Sequence, residues 1–139
     1  MFQKYLGYSI AVIALCATVS ACKTTEPPKP TGTALTGAQL QAIYASGKPV
    51  VSSGKSLESG NSWKLARDGK DQQMIKVANG DFSDTGTYRI ADNMVCSKWK
   101  KIRDGAETCS TMYVLPDGTY EAADEKGVKI AVFTIEKSG

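Results

Sequence analysis

The residues with chemical potential cluster between Met94 and Leu115, MVCSKWKKIRDGAETCSTMYVL, which holds Cys96 and Cys109 and, between them, Lys98, Trp99, Lys100, Lys101 and Arg103. Four cations beside an indole can grip an anionic glycan, a lipid phosphate or an acidic protein face. The same composition suits a strand whose lysines stand in water and block edge pairing while Trp99 packs inward, and the sequence favours this second reading. Asp104 and Glu107 partly offset the charge.

Other routes to chemistry close quickly. The chain has no histidine, so nucleophile schemes built on an imidazole are excluded. Two cysteines alone do not complete zinc's tetrahedral shell, and no metal or other cofactor is expected. Ser52-Ser53-Gly54-Lys55 matches Ser-x-x-Lys but lacks the companion motifs of that chemistry. Gly54-Lys55-Ser56 ends like a phosphate-binding loop, with Pro49 where the first glycine belongs. Asp81 and Asp84 flank Phe82, and Asp124 and Glu125 sit beside a turn; turns collect acids for backbone reasons. The protein is therefore expected not to be an enzyme.

The start of the chain decides where this chemistry would operate. Lys4 is the one charge before an apolar run from Leu6 to Val19, which is too short and weakly flanked to span a bilayer and ends in small residues, as a secretory signal does. Val19-Ser20-Ala21-Cys22 resembles the bacterial lipobox. That resemblance implies a signal peptide over 1–21 and a mature protein that begins at an acylated Cys22. Cys16 follows Leu15, where a small residue is wanted. Multiple acyl chains bury many methylenes at about 0.8 kcal/mol each, which makes such an anchor close to permanent. The expected location is the cell envelope, with Lys23 favouring the outer membrane, facing the periplasm. With Cys16 removed and Cys22 acylated, Cys96 and Cys109 remain as an even pair in an oxidising compartment and are expected to bond. Their loop is worth about 3 kcal/mol in the chain-entropy picture. A two-residue turn on Asp104-Gly105 would set Cys96 opposite Tyr113, so the bond requires a wider loop centred near Ile102-Arg103, or a bulge.

Residues 22–34 are rich in proline and threonine, carry no large apolar side chain and read as a tether. One domain follows over 35–139, about 105 residues, enough for a single core. Removing Lys4 with the signal leaves 16 basic side chains against 14 acidic ones, too mild a balance for a nucleic-acid binder. Thr36 and Gln39 fit a capping box, and Leu40, Ile43 and Tyr44 share a helical face, predicting a helix over about Gly37 to Ala45 that lids a sheet. Turn signals then recur every nine to thirteen residues, from Asp68-Gly69 through Asn79-Gly80, Asp92-Asn93, Asp104-Gly105 and Asp117-Gly118 to Lys126-Gly127. Seven strands are predicted between and around them: Trp63 to Arg67, Gln72 to Ala78, Gly86 to Ala91, Met94 to Lys101, Thr108 to Leu115, Thr119 to Ala123 and Val128 to Ile135. The expected fold is mainly β: an antiparallel meander or small barrel with one short N-terminal helix and one disulfide hairpin.

Leu35-Thr36-Gly37, Gly47-Lys48, Gly86-Thr87-Tyr88, Cys96-Ser97-Lys98-Trp99, Cys109, Tyr113 and Asp117-Gly118 with Tyr120 resemble a family of small exported alphaproteobacterial proteins that carry a domain of unknown function. The resemblance implies a short helix before a sheet with a cysteine and tryptophan hairpin. A looser likeness is to small lipid-anchored or periplasmic β-barrel inhibitors of proteases. Here Tyr88 stands where those proteins usually have tryptophan, and the cysteines are farther apart. The expected role is binding or structural, at a membrane held through the lipid anchor, with peptidoglycan, anionic lipid headgroups or an envelope protein as partner and no nucleic acid. Inhibition of proteases or other hydrolases is the alternative, and a small hydrolase the third reading.

Overall fold

The structure is a computed structural model that describes residues 25–45, 47–77 and 82–136. The signal segment, the lipobox and Cys22 lie outside the described residues, as do the Asn79-Gly80 turn and Asp81. The elements in chain order are β1 (Thr33–Ala34), α1 (Gly37–Tyr44), β2 (Val50–Ser56), β3 (Ser62–Asp68), β4 (Asp71–Val77), β5 (Asp84–Ala91), β6 (Met94–Trp99), β7 (Thr108–Val114), β8 (Tyr120–Ala123) and β9 (Lys129–Ile135).

Strands β2 to β9 pair antiparallel with their chain neighbours, and β2 also pairs with β9, so eight strands close into an up-and-down barrel. The sequence left barrel or open meander undecided; closure removes every free edge among the eight. Strand β2 was not among the seven predicted. Its inward positions run Val50, Ser52, Gly54 and Ser56, apolar only at the first, so it lacks the apolar alternation that marks the others. Tight hairpins form where expected: Asp92 and Asn93 both take positive φ between Ala91 and Met94, and Gly69 turns β3 into β4. The strand expected to reach Lys101 stops at Trp99. A wide loop follows, in which Arg103, Asp104 and Gly105 take positive φ in succession. That loop brings Cys96 opposite Cys109, and the two are disulfide-bonded.

The pairing register sorts the two faces. Ser52, Trp63, Leu65, Arg67, Gln72, Gly86, Tyr88, Val95, Ser97, Trp99, Met112, Ala122, Ala131 and Phe133 form one cross-strand set that faces the barrel interior. Closing so small a ring demands close backbone approach. A Cβ on Gly86 would lie 2.0 Å from the Lys98 carbonyl oxygen, and one on Gly54 would lie 2.5 Å from Phe133 Cβ. Helix α1 seals one end. Its predicted capping box is present, the Gly37 amide donates to Asn93 Oδ1 of the β5–β6 turn at 2.6 Å, and Leu40 and Tyr44 are buried among Tyr88, Val95 and Met112.

The segment read as a tether is pinned from Pro28 onward. The Thr31 and Gly32 amides donate to Glu121 Oε2 at 2.8 and 3.0 Å, the Lys129 amide donates to the Pro28 carbonyl, and β1 pairs with β7. Polar main chain can dock without apolar side chains where a buried acceptor awaits it, and Glu121, 2% exposed and also bonded by Lys129 Nζ at 3.0 Å, is that acceptor. Asp84, 3% exposed, plays the same part at the opposite end of the barrel from α1, accepting from the amides of Thr85, Lys101 and Ile102. Burial alone would raise both carboxyl groups. The hydrogen bonds outweigh it, chiefly Lys129 and then the Thr31 and Gly32 amides for Glu121, and the Ile102 and Lys101 amides for Asp84, so both sit below the usual carboxylate range. The stabilisation they confer is complete above the unfolded carboxylate values of about 4 and is lost as pH falls through the lowered folded values. Urea unfolding should thus show stability falling below about pH 4. Glu121→Gln should lower stability at neutral pH by about 2 kcal/mol, flatten that acid limb, and speed proteolysis of the segment before β1.

Candidate functional site

The barrel interior is not filled. A cavity of about 620 Å³ runs down it, within the range of small-molecule sites. Its walls are Trp63, Leu65, Val95, Trp99, Met112 and Phe133, with Ser52, Ala122 and Ala131 where larger side chains would close the space. The end opposite α1 forms its mouth, rimmed by Leu57, Ile102, Arg103, Val128 and Pro28. Aromatic contacts set the walls: Phe133 stacks on Tyr120 at 5.5 Å and tilts against Trp63 at 5.8 Å.

Toward α1 the lining turns polar. Arg67 Nε donates to Gln72 Oε1 at 3.2 Å, Nη1 to the Tyr44 hydroxyl at 3.1 Å and Nη2 to Ser97 Oγ at 3.2 Å. Ser97 Oγ donates in turn to Gln72 Oε1, and the Tyr44 hydroxyl reaches Met112 Sδ. The guanidinium lies 5.3 Å from the Tyr44 ring centroid and 5.1 Å from that of Tyr88, so two aromatic faces hold it. Burial raises the Tyr88 phenol above its ordinary value, which keeps it neutral beside the cation. Among the described residues no carboxylate comes within ion-pairing distance of Arg67. The Gln72 side-chain nitrogen is buried and without a hydrogen-bond acceptor.

The sequence placed its candidate site on the hairpin, and the structure divides those residues between two faces. Trp99 is 9% exposed and lines the cavity, whereas Lys98 and Lys100 stand in water. Lys101 turns to the Ser83 carbonyl and lies over the Phe82 ring, and Arg103 reaches the mouth near Glu58. The five residues therefore do not form one surface, and the inward packing of Trp99 is the arrangement found. Cys96, Cys109 and Glu107 lie close together, but the cysteines are spent in the disulfide and Glu107 pairs with Arg89 at 2.6 Å. Ser52 and Lys55 fall on opposite faces of β2, so Ser-x-x-Lys is not a constellation here. Asp84 is held ionised by amides, the reverse of what a general acid needs. Sequence reading missed Arg67 and Gln72. Their one signal was polar residues at inward positions on either side of the Asp68–Asp71 turn, legible only once the register was known.

In comparisons with protein-family models, curated proteins and solved structures, nothing matched the chain. Trp99→Ala should cost about 3 kcal/mol in urea unfolding, near the low end for a buried aromatic because one side already faces open space. Lys98→Ala and Lys100→Ala should each stay within about 0.5 kcal/mol of the parent.

Proposed function

We propose that this is a lipid-anchored envelope protein with a binding role, and that its binding element is the barrel cavity. The observation that carries the reading is the cavity itself, sealed by α1, open at the other end, and lined by two indoles and a phenyl ring above a polar floor. The occupant is a small, mostly apolar molecule. The envelope location rests on the lipobox resemblance, and membership of the exported family on its short motifs.

Anchor and mouth fit together. Pro28 rims the mouth, and Cys22 precedes it by six residues, a span of at most roughly 20 Å at full extension. Acylation at Cys22 therefore holds the mouth close to the bilayer. Leu57 and Phe82, each 40% exposed, are the exposed large apolar side chains among the described residues, and both sit on loops at the mouth end. An apolar ligand can pass from the membrane into the cavity without a long path through water.

The test is titration of the mature chain with the neutral fluorophore N-phenyl-1-naphthylamine. One saturable site should appear, with energy transfer from Trp63 and Trp99, and filling the cavity by Ala131→Leu should weaken it at least tenfold in a protein that still melts cooperatively. Non-saturable uptake, or binding indifferent to the filled cavity, would mean that the probe adheres to the surface and the reading is wrong.

A further inference from the structure

The floor of the cavity has more donors than the protein satisfies. Arginine offers five N–H groups, and Arg67 uses three of them on Gln72, Tyr44 and Ser97. Two remain, on a cation that lines the cavity and has no carboxylate partner among the described residues. Gln72, 3% exposed, spends its amide oxygen on Arg67 and Ser97 and leaves its amide nitrogen without an acceptor. A half-buried cation with unspent N–H groups facing an apolar-walled cavity is best completed by an anion.

Resting on the cavity being a binding site, we infer that its ligand is an aliphatic monocarboxylate, with the carboxylate on Arg67 at the floor and the hydrocarbon chain running toward the mouth. Planar guanidinium matches the two oxygens of a carboxylate, and Tyr44 and Tyr88 hold that plane in place. The wall limits the charge: a head group reaching the floor must pass Trp63, Trp99, Leu65 and Phe133, so one negative charge is far cheaper to bring in than a phosphate's two. An amine head would meet the guanidinium as a like charge, and an alcohol would leave it unneutralised.

Competition against bound N-phenyl-1-naphthylamine near neutral pH tests this with decanoate, decanol and decyltrimethylammonium. In the wild-type chain decanoate should displace the probe at concentrations at least tenfold below those of decanol, with the ammonium weakest. Arg67→Met should bring decanoate and decanol to within about twofold of each other, about the resolution of the comparison, since the charge-assisted bonds are gone. Arg67→Lys should retain part of the preference, as it keeps the charge but not the fork. Equal displacement by decanoate and decanol in the wild type, alongside saturable probe binding, would overturn the inference and leave the cavity reading standing. A preference that survives Arg67→Met would overturn it too. Failure of the probe to bind at all would overturn both. The wild-type comparison decides alone if the methionine variant does not fold.

Discussion

Closure of the ring is the constraint on which everything else rests. Eight strands enclose an interior only wide enough for side chains or for one small ligand. Which of the two it holds is decided by the inward residues. Here Ser52, Gly54, Gly86, Ala122 and Ala131 occupy inward register positions, and the space that larger side chains would fill remains open as a cavity of about 620 Å³. The barrel therefore forgoes part of the packing that usually stabilises a domain of this size.

Stability is recovered at the periphery. The disulfide ties β6 to β7 beside the widest loop, the buried Asp84 carboxylate gathers the main chain at the start of that loop, and Glu121 fastens the incoming N-terminal segment. Helix α1 fills the far end with Leu40 and Tyr44 and is itself held by Asn93. None of these fills the cavity. The same arrangement places the polar floor: Tyr44 from α1 meets Arg67 of β3, which in turn bonds Gln72 of β4 and Ser97 of β6, so sealing the barrel and building the floor are one event.

Much of the fold was legible because its punctuation is local. Asp92-Asn93 and Asp68-Gly69 mark turns whose geometry depends on those residues alone, and Thr36 with Gln39 announces a helix start. The loop between the cysteines followed from register arithmetic. Strand β2 escaped because its small and polar residues carry no alternation, and the docking of Pro28 to Ala34 escaped because its main partner, Glu121, lies about 90 residues away. The floor was illegible for the same reason. Arg67 and Gln72 look like ordinary surface residues around a hairpin, and only closure of the ring turns them inward. Trp99 announced itself as a candidate contact through its lysine neighbours, yet strand alternation sends it to the opposite face from them.

Methyl-resolved NMR of the mature chain during a decanoate titration reads directly whether a ligand enters the barrel or coats it. Saturable shifts are expected at the inward methyls of Leu65, Val95, Met112, Ala122 and Ala131, with outward methyls such as Val132 unmoved. Shifts confined to outward or mouth-loop methyls, with the inward set silent at saturation, would contradict entry into the barrel.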